Sequence, residues 1–508
     1  MILDFAETGS DALAGRRFDV CIVGAGPAGI TIARALSRDL SVLLLEAGGF
    51  ELSAESQQIY QGSISGRGYY DLDTARLRYF GGTSNHWGGR CQALDAFDFE
   101  AHPYVPHSGW PIGKQDLDPY LGQAARIVDL DLVEPEPPAF RSQLDQALAT
   151  GGFAHPFTFH WSPPTVFGEK FRMEIEQSAN ILCLLHANLT DIVLSESGSA
   201  VTDVEITGYE LARTKVPVRR LVIAAGGMEN PRILLNCNRQ MKAGLGNQHD
   251  LVGRFFAEHF LHRCGWLVLE DDFGEAVSAA FPPGTGVRPR KLYYAANRGF
   301  ALQREVLDFV VTVVPRSKFR DSNNSFSQRL RHAICAPDWL SESFDFTFDD
   351  GAPTCYDGFF IVEAEQAPNR DSRITLNGER DQFGWCRLNL DWRALPIDKR
   401  TAAVAATEFA TRFAEHNLGR VRVKDWLLAD DSAVPPLSDD VAASCHHMGT
   451  TRMADDPRRG VVDRNCRVHG ISNLYVAGSS VFPTVGFANP TFSIVQMSLR
   501  LADHLNGG

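Results

Sequence analysis

The chain has no paired cysteines: its ten stand singly, at 21, 91, 183, 237, 264, 335, 355, 386, 445 and 466, with no Cys-x-x-Cys and no Cys/His spacing. That excludes the usual zinc and iron–sulfur frameworks and leaves reduced thiols in a reducing compartment as the reading, with no metal expected. It also lacks any apolar run of the roughly 18–20 residues that a spanning helix needs. Segment 1–20, MILDFAETGSDALAGRRFDV, shows no apolar core followed by a small-residue cleavage site, so a cytoplasmic, unanchored protein without a membrane partner is expected. Basic excess is absent as well. Lys+Arg of 49 against Asp+Glu of 62 leaves −13, which argues against nucleic acid and anionic lipid as partners and suits a small neutral substrate. Neither internal repeats nor low-complexity tracts occur.

What is present is a chain too long for one core. At 508 residues, 44% hydrophobic and 22% charged, two domains or two interleaved lobes are expected, with room for a large pocket between them. Arg17-Phe-Asp-Val-Cys-Ile-Val-Gly24 is a short apolar run ending in glycine. A helix is predicted from Ile30 to Leu40 and a second buried strand over Val42-Leu-Leu-Leu-Glu46, which together make a βαβ unit. A strand pair at 189–194 and 201–206 leads into Arg219-Arg-Leu-Val-Ile-Ala-Ala-Gly226-Gly227 and a helix through Leu235; this part is predicted to return to the same sheet. Asn473-Leu-Tyr-Val-Ala-Gly478-Ser479 reads as a third such strand, before a last helix over about 490–505. Three pieces of one nucleotide-binding domain thus bracket two insertions rich in aromatics, prolines and alternating patterns such as Arg373-Ile-Thr-Leu and Cys386-Arg-Leu-Asn-Leu-Asp-Trp392. The stretch 271–290 has no clear periodicity and is a candidate loop over the site.

Four motifs carry chemistry. In Gly24-Ala-Gly26-Pro-Ala-Gly29, between strand and helix, the glycines permit a tight turn, the approach of a pyrophosphate and close helix packing. Glu46, twenty residues beyond Gly26, is placed to accept hydrogen bonds from a ribose, and an acid there disfavours a 2′-phosphate, so FAD or NAD fits better than NADP. Phe80-Gly-Gly82-Thr83-Ser-Asn85-His86-Trp87-Gly88-Gly89 can press its backbone flat against a planar ligand, with His86 the side chain able to bond a ring; the alternative is a simple glycine turn. Ser444-Cys-His446-His447-Met-Gly-Thr-Thr-Arg452-Met453 sets two imidazoles beside a Gly-Thr turn, and one of them can take the hydroxyl proton of an alcohol while a hydride leaves its carbon. A metal pair or a core histidine is the other reading, although neighbouring histidines on an extended chain point to opposite sides and chelate one ion poorly. Phe487-Ala-Asn489-Pro490-Thr491 opens the last helix, whose free N–H groups would stabilise a reduced flavin's negative charge; Asn489 is otherwise a helix cap.

Taken in order, the N-terminal fingerprint, GGTSNHWGG, AAGGMENPRILL and HHMGTTRM…VVD…NLYVAGSSVFPT…ANPT resemble the glucose-methanol-choline (GMC) oxidoreductases. The resemblance covers about half the chain. It implies an α/β fold in which a Rossmann-like FAD-binding domain is interleaved with an α+β substrate domain on an antiparallel sheet. It also implies FAD as cofactor, contacted by the motif residues above and by Gly478 and Ser479, and oxidation of an alcohol by hydride transfer. The family's catalytic histidine stands three residues before the glycine of the Gly-Thr turn, which selects His446; its second catalytic position falls on Asn489, and His447 is then a substrate contact. The HW pair, GTTRM, SRITL and ANPT look closest to pyranose oxidases, glucoside 3-oxidising enzymes and gluconate or fructose dehydrogenase flavin subunits, which points to a sugar or glycoside oxidised at a secondary alcohol. His86 aligns with the histidine that carries covalent FAD in pyranose oxidases, and the bond itself is left open. Those enzymes follow the pair with a threonine where this chain has Gly88, so the resemblance does not carry over their oxygen chemistry.

The expected division is 1–95, 176–260 and 441–508 for FAD and 96–175 and 261–440 for substrate, where Gln366 and Arg373 are candidates for sugar hydroxyl contacts, with lobe packing or surface polarity as the alternative. Oxygen, or a quinone, dye or protein, would accept the electrons, and oligomer formation is open. Three other readings stand beside this one: an oxidoreductase of the same fold for a non-sugar alcohol, a hydroxynitrile-lyase-like flavoprotein, in which the histidine acts only as acid and base, and an NAD(P)H-dependent flavoprotein, which the single complete GxGxxG weakens.

Overall fold

The structure, a computed structural model, describes every residue except 133–140, 158, 212, 271–272, 274–292, 316–356 and 508. The candidate loop at 271–290 therefore lies outside the described residues apart from Phe273.

Short runs of branched and aliphatic residues that are buried on both faces belong in a covered parallel sheet. The runs VCIV, VLLL, LVI and LYV are fully buried and meet this condition. They form a six-stranded sheet in the order Ile2–Asp4, Ile181–Leu185, Val42–Leu45, Val20–Val23, Leu221–Ile223, Leu474–Val476. Every neighbouring pair in it runs parallel. Helix Pro27–Ala35 packs on this sheet against the last helix, Pro490–Asn506. The first of these begins three residues before the sequence expectation, because Pro27 sits at its first turn, where a fixed φ and a missing N–H cost nothing. It also stops earlier, at Ala35, where Leu36 turns extended. The strands Asn188–Leu194 and Val201–Thr207 do not join the parallel sheet; with Arg213–Pro217 they make an antiparallel sheet of their own.

A second layer is antiparallel. Its path runs Gly419–Val423, Phe260–Leu269, Gly358–Ala364, Phe309–Pro315, Tyr293–Ala296, Phe153–Phe157, and Val441–Ala443 also pairs with Phe260–Leu269. Helix Pro396–Glu415 covers it, burying Ala402, Ala405, Ala406, Phe409 and Phe413 at helical spacing, with Phe409 stacked on Phe360 at 4.6 Å between ring centroids. The α/β architecture with an antiparallel second sheet is thus present. Strands Arg373–Arg380 and Cys386–Trp392 stay out of that sheet; Cys386–Trp392 pairs in parallel with Gly62–Gly66 in a third one. The same strand Phe260–Leu269 leads out of Glu258-His259, and the strand Val441–Ala443 leads into His446, so one edge of the antiparallel layer delivers both histidines to the ends of the parallel strands.

Candidate active site

A cavity of about 450 Å³ opens beyond the carboxyl ends of the parallel strands Val20–Val23, Leu221–Ile223 and Leu474–Val476, the position at which open α/β sheets bind ligands. At one end the turn 24–29 brings the strand and helix into contact. A Cβ on Gly29 would lie 1.9 Å from the Gly24 carbonyl oxygen, so only glycine lets the helix start this close to the strand. Gly26 caps the helix without a side chain, and its first N–H groups face the cavity lined by Gly24, Gly26 and Pro27. Glu46 Oε2 accepts from the Ala25 N–H at 3.0 Å and Oε1 from the Gly48 N–H at 2.8 Å. Burial raises its pKa, and those N–H groups oppose the shift. Its carboxylate lines the cavity with lone pairs left for a ribose hydroxyl.

At the other end stand His446 and Asn489. The last helix begins at Pro490 with no side-chain cap, which removes the helix-cap alternative for Asn489. The Asn489 side chain reaches sideways instead, its Oδ1 accepting from Arg90 Nε at 2.7 Å and its Nδ2 lying 3.2 Å from His446 Nε2. On its other side His446 Nδ1 lies 3.0 Å from His259 Nδ1. Burial lowers the pKa of His446 well below the ordinary value, and His259, Arg90 and His447 push the same way, so the ring is neutral and able to accept a proton. The loop that carries it is held by buried Glu258, whose Oε2 accepts the His446 N–H at 3.0 Å, the Ser444 N–H at 3.3 Å and the His259 N–H at 3.1 Å. Burial raises the Glu258 pKa to about 7 against these bonds.

His447 is engaged differently. Its Nε2 is 3.0 Å from the Tyr69 hydroxyl, which donates to Glu258, so the tyrosine oxygen accepts and His447 Nε2 carries the proton. Burial takes its pKa to about 3. Its carbonyl accepts from Ser479 Oγ at 2.6 Å and approaches Gly227 so closely that a Cβ there would lie 2.0 Å from it. The protonated Nε2 turned to Tyr69 leaves His446 as the imidazole with a lone pair toward Asn489.

Between the two ends the second glycine block forms a wall. Gly82, Thr83, His86, Trp87 and Gly88 line the cavity, as do Gly478, Ser479, Asn489, Pro490 and Thr491. Trp87 Nε1 donates to the Thr165 carbonyl at 2.9 Å and pins the wall in place. Burial lowers the His86 pKa. Four expected contacts are not brought to the cavity. Asn85 folds back onto its own loop, donating to the Phe80 carbonyl at 2.9 Å. Gln366 is 1% exposed and closed on the Glu258 N–H, Trp392 Nε1 and the Arg393 carbonyl. Arg373 lies at the surface against Asp250 at 3.0 Å. Gly29 sits behind the wall as packing. The sequence reading passed over Arg90, Glu258, His259 and Glu363. Arg90 alone had a local signal, as the cation that directly follows the glycine block.

Both ends suit FAD: two helix starts with unused N–H groups, an acid at the ribose position, and a glycine-lined wall between them. Residues 19–245 match the FAD dependent oxidoreductase family and residues 368–498 the GMC oxidoreductase family. The C-terminal match is to the family whose motifs the sequence resembles. FAD is the cofactor of this oxidoreductase. The enzyme is 22% identical to 2-methyl-1,2-propanediol dehydrogenase of Mycolicibacterium austroafricanum, over 96% of this chain and 95% of that one. It is 26% identical to C-glycoside 3-oxidase of Microbacterium trichothecenolyticum, over 84% and 74%. Its fold matches that of pyridoxine 4-oxidase from Mesorbium loti with a TM-score of 0.62 at 16% identity, over 97% of this chain and 99% of that one. No helix among the described residues of the oxidoreductase is long and apolar enough to cross a membrane.

Proposed function

We propose that this oxidoreductase oxidises a secondary alcohol of a sugar or glycoside to a ketone, with His446 as general base and Asn489 holding the substrate oxygen. The observation that carries the reading is the neutral His446 ring, directed by its Nε2 at Asn489 in the wall of the cavity. Segments 1–95, 176–260 and 441–508 hold the cofactor in this reading, and 96–175 and 261–440 the substrate. FAD, when bound, supplies the two-electron acceptor for the hydride that leaves the carbinol carbon. His446 Nε2 takes the hydroxyl proton as that hydride departs, so that alcohol becomes ketone with both protons and both electrons accounted for. Asn489 Nδ2 has a second hydrogen for the substrate oxygen, and the start of the helix Pro490–Asn506 stabilises negative charge nearby. Oxygen or another acceptor then takes the electrons.

The likeness to a C-glycoside 3-oxidase supports a glycoside, and the likeness to a diol dehydrogenase keeps small alcohols in the test. The test is anaerobic mixing of the holoenzyme with monosaccharides, glycosides, simple alcohols, cyanohydrins and NADH. Bleaching of the oxidised flavin band is expected with one sugar class. Bleaching only by NADH, or cyanohydrin cleavage without bleaching, would replace this reading. In His446→Ala the flavin is expected to stay bound while its reduction slows about 10²-fold or more, the size of a general-base contribution.

A further inference from the structure

Which nitrogen of His446 is free decides whether it can act, and the chain fixes this from a distance. Arg90 has five N–H donors and no acceptor. Its Nη1 donates to Glu363 Oε1 at 2.8 Å and to the Tyr293 oxygen at 3.1 Å, and its Nη2 to Glu363 Oε2 at 2.5 Å. This fork holds the guanidinium plane, and Phe159 lies under it at 4.5 Å. The remaining Nε–H meets Asn489 at 2.7 Å. A group that can only donate must face the amide oxygen, so the amide nitrogen of Asn489 is forced to the other side, against His446 Nε2 at 3.2 Å. A donor there requires a lone pair on Nε2. His446 then carries its proton on Nδ1 and donates it to His259 Nδ1, 3.0 Å away. His259, 3% exposed, is left with its proton on Nε2, which has no hydrogen-bond partner among the described residues, while the Val485 and Gly486 backbone favours a protonated ring.

We infer that Arg90, clamped by Glu363, is a positioning residue that sets the Asn489 amide and through it the Nδ1–H tautomer of His446, with His259 as the acceptor at the far end. The hydrogen bonds therefore run one way, from Arg90 through Asn489 and His446 to His259. The inference rests on the reading of His446 as base only for its effect on rate; the tautomer itself follows from the donor count. An arginine acting simply by its charge on the substrate would behave differently, because Glu363 is buried outside the cavity wall. Loosening the fork while keeping the cation separates the two.

The experiment is long-range ¹H–¹⁵N correlation on ¹⁵N-histidine-labelled holoenzyme, with His446 assigned by its loss in His446→Gln, alongside stopped-flow flavin reduction. The wild-type enzyme is expected to show His446 with Nε2 unprotonated. Glu363→Gln, which keeps shape and the Arg90 charge, is expected to populate the Nε2–H form and slow flavin reduction about 10-fold or more at saturating substrate, with KM changed less than about 3-fold; wrong-tautomer losses are of this size or larger. Arg90→Met is expected to do the same more strongly, and Arg90→Lys, with a charge but no fork, to recover only part. If Arg90→Met does not fold, Glu363→Gln still decides. Nε2 protonated in the wild type, or a slowed Glu363→Gln or Arg90→Met with an unchanged tautomer, overturns the inference. A normal rate in His446→Ala with the wild-type tautomer as expected would instead overturn the general-base reading and leave the tautomer assignment standing.

Discussion

Gln366 is buried away from the cavity, with both lone pairs of its oxygen in use. Its amide oxygen accepts from the Glu258 N–H and from Trp392 Nε1, both at 2.9 Å, and its nitrogen donates to the Arg393 carbonyl at 2.9 Å. Gln366→Met leaves the Glu258 N–H and Trp392 Nε1–H unpaired, while the Arg393 carbonyl keeps its bond from Asn369 Nδ2 at 3.3 Å, and a loss of about 2–4 kcal/mol is expected from the two unmade bonds. Chemical denaturation of the holoenzyme measures it, and the ratio of kcat/KM values between two sugars is expected to stay unchanged; a shifted ratio would return Gln366 to the substrate. At this scale the sequence is uneven. Glu46 and the glycines of 24–29 are legible because backbone geometry demands them at fixed local spacing, and His446 and Asn489 because each sits beside a turn or helix start. His259 and Glu363 are not, and Arg90 has only its place after the glycine block, since the contacts of these residues cross 187, 273 and 399 residues and leave no periodic trace.

Between elements, three acids meet in the dark. Asp98, in the short helix Ala96–Phe99, touches Asp308, which precedes the strand Phe309–Pro315, and Glu365 follows the strand Gly358–Ala364. Among the described residues Asp98 Oδ1 and Asp308 Oδ2 have no hydrogen-bond partner, and the two carboxyls in contact favour sharing one proton. Burial, and then Glu365, raise Asp98 to about 8; burial and Asp98 raise Asp308 well above its ordinary value. Glu365 Oε1 accepts from the Val485 and Gly486 N–H groups at 3.1 and 3.2 Å, tying the cluster to the segment that leads to Asn489. The sign follows from the raised folded-state pKa values. The folded chain binds more protons than the unfolded one, so this contribution is complete below the ordinary aspartate pKa of about 4 and is lost as pH rises toward about 8. Asp98→Asn, which donates to an ionised Asp308, is expected to flatten the fall in melting temperature between about pH 5 and 8 that is expected of the wild type, read by calorimetry. An unchanged slope would place the proton elsewhere. The element boundaries themselves were legible to within a few residues where apolar runs are fully buried. Sheet membership was not: Arg373–Arg380 and Cys386–Trp392 alternate like strands of the large antiparallel sheet, yet their partner Gly62–Gly66 is a small, exposed run that no hydrophobic pattern announces.

Across the whole molecule, the parallel sheet takes strands from residues 2 to 476, and its edge is finished by Leu474–Val476 on Leu221–Ile223. Without that strand an apolar edge and the face beneath helix Pro490–Asn506 are uncovered. A chain ending at residue 473 is expected to be recovered mainly as aggregate and without flavin, as soluble yield and absorbance would show; a soluble, yellow product would mean the sheet closes without it. Since Gly478, Ser479 and Pro490 also line the cavity, the binding site does not exist until the chain has been made past residue 490. A nascent chain must therefore keep a sticky strand edge out of trouble until residues 474–506 have left the ribosome, and only then can it capture its flavin.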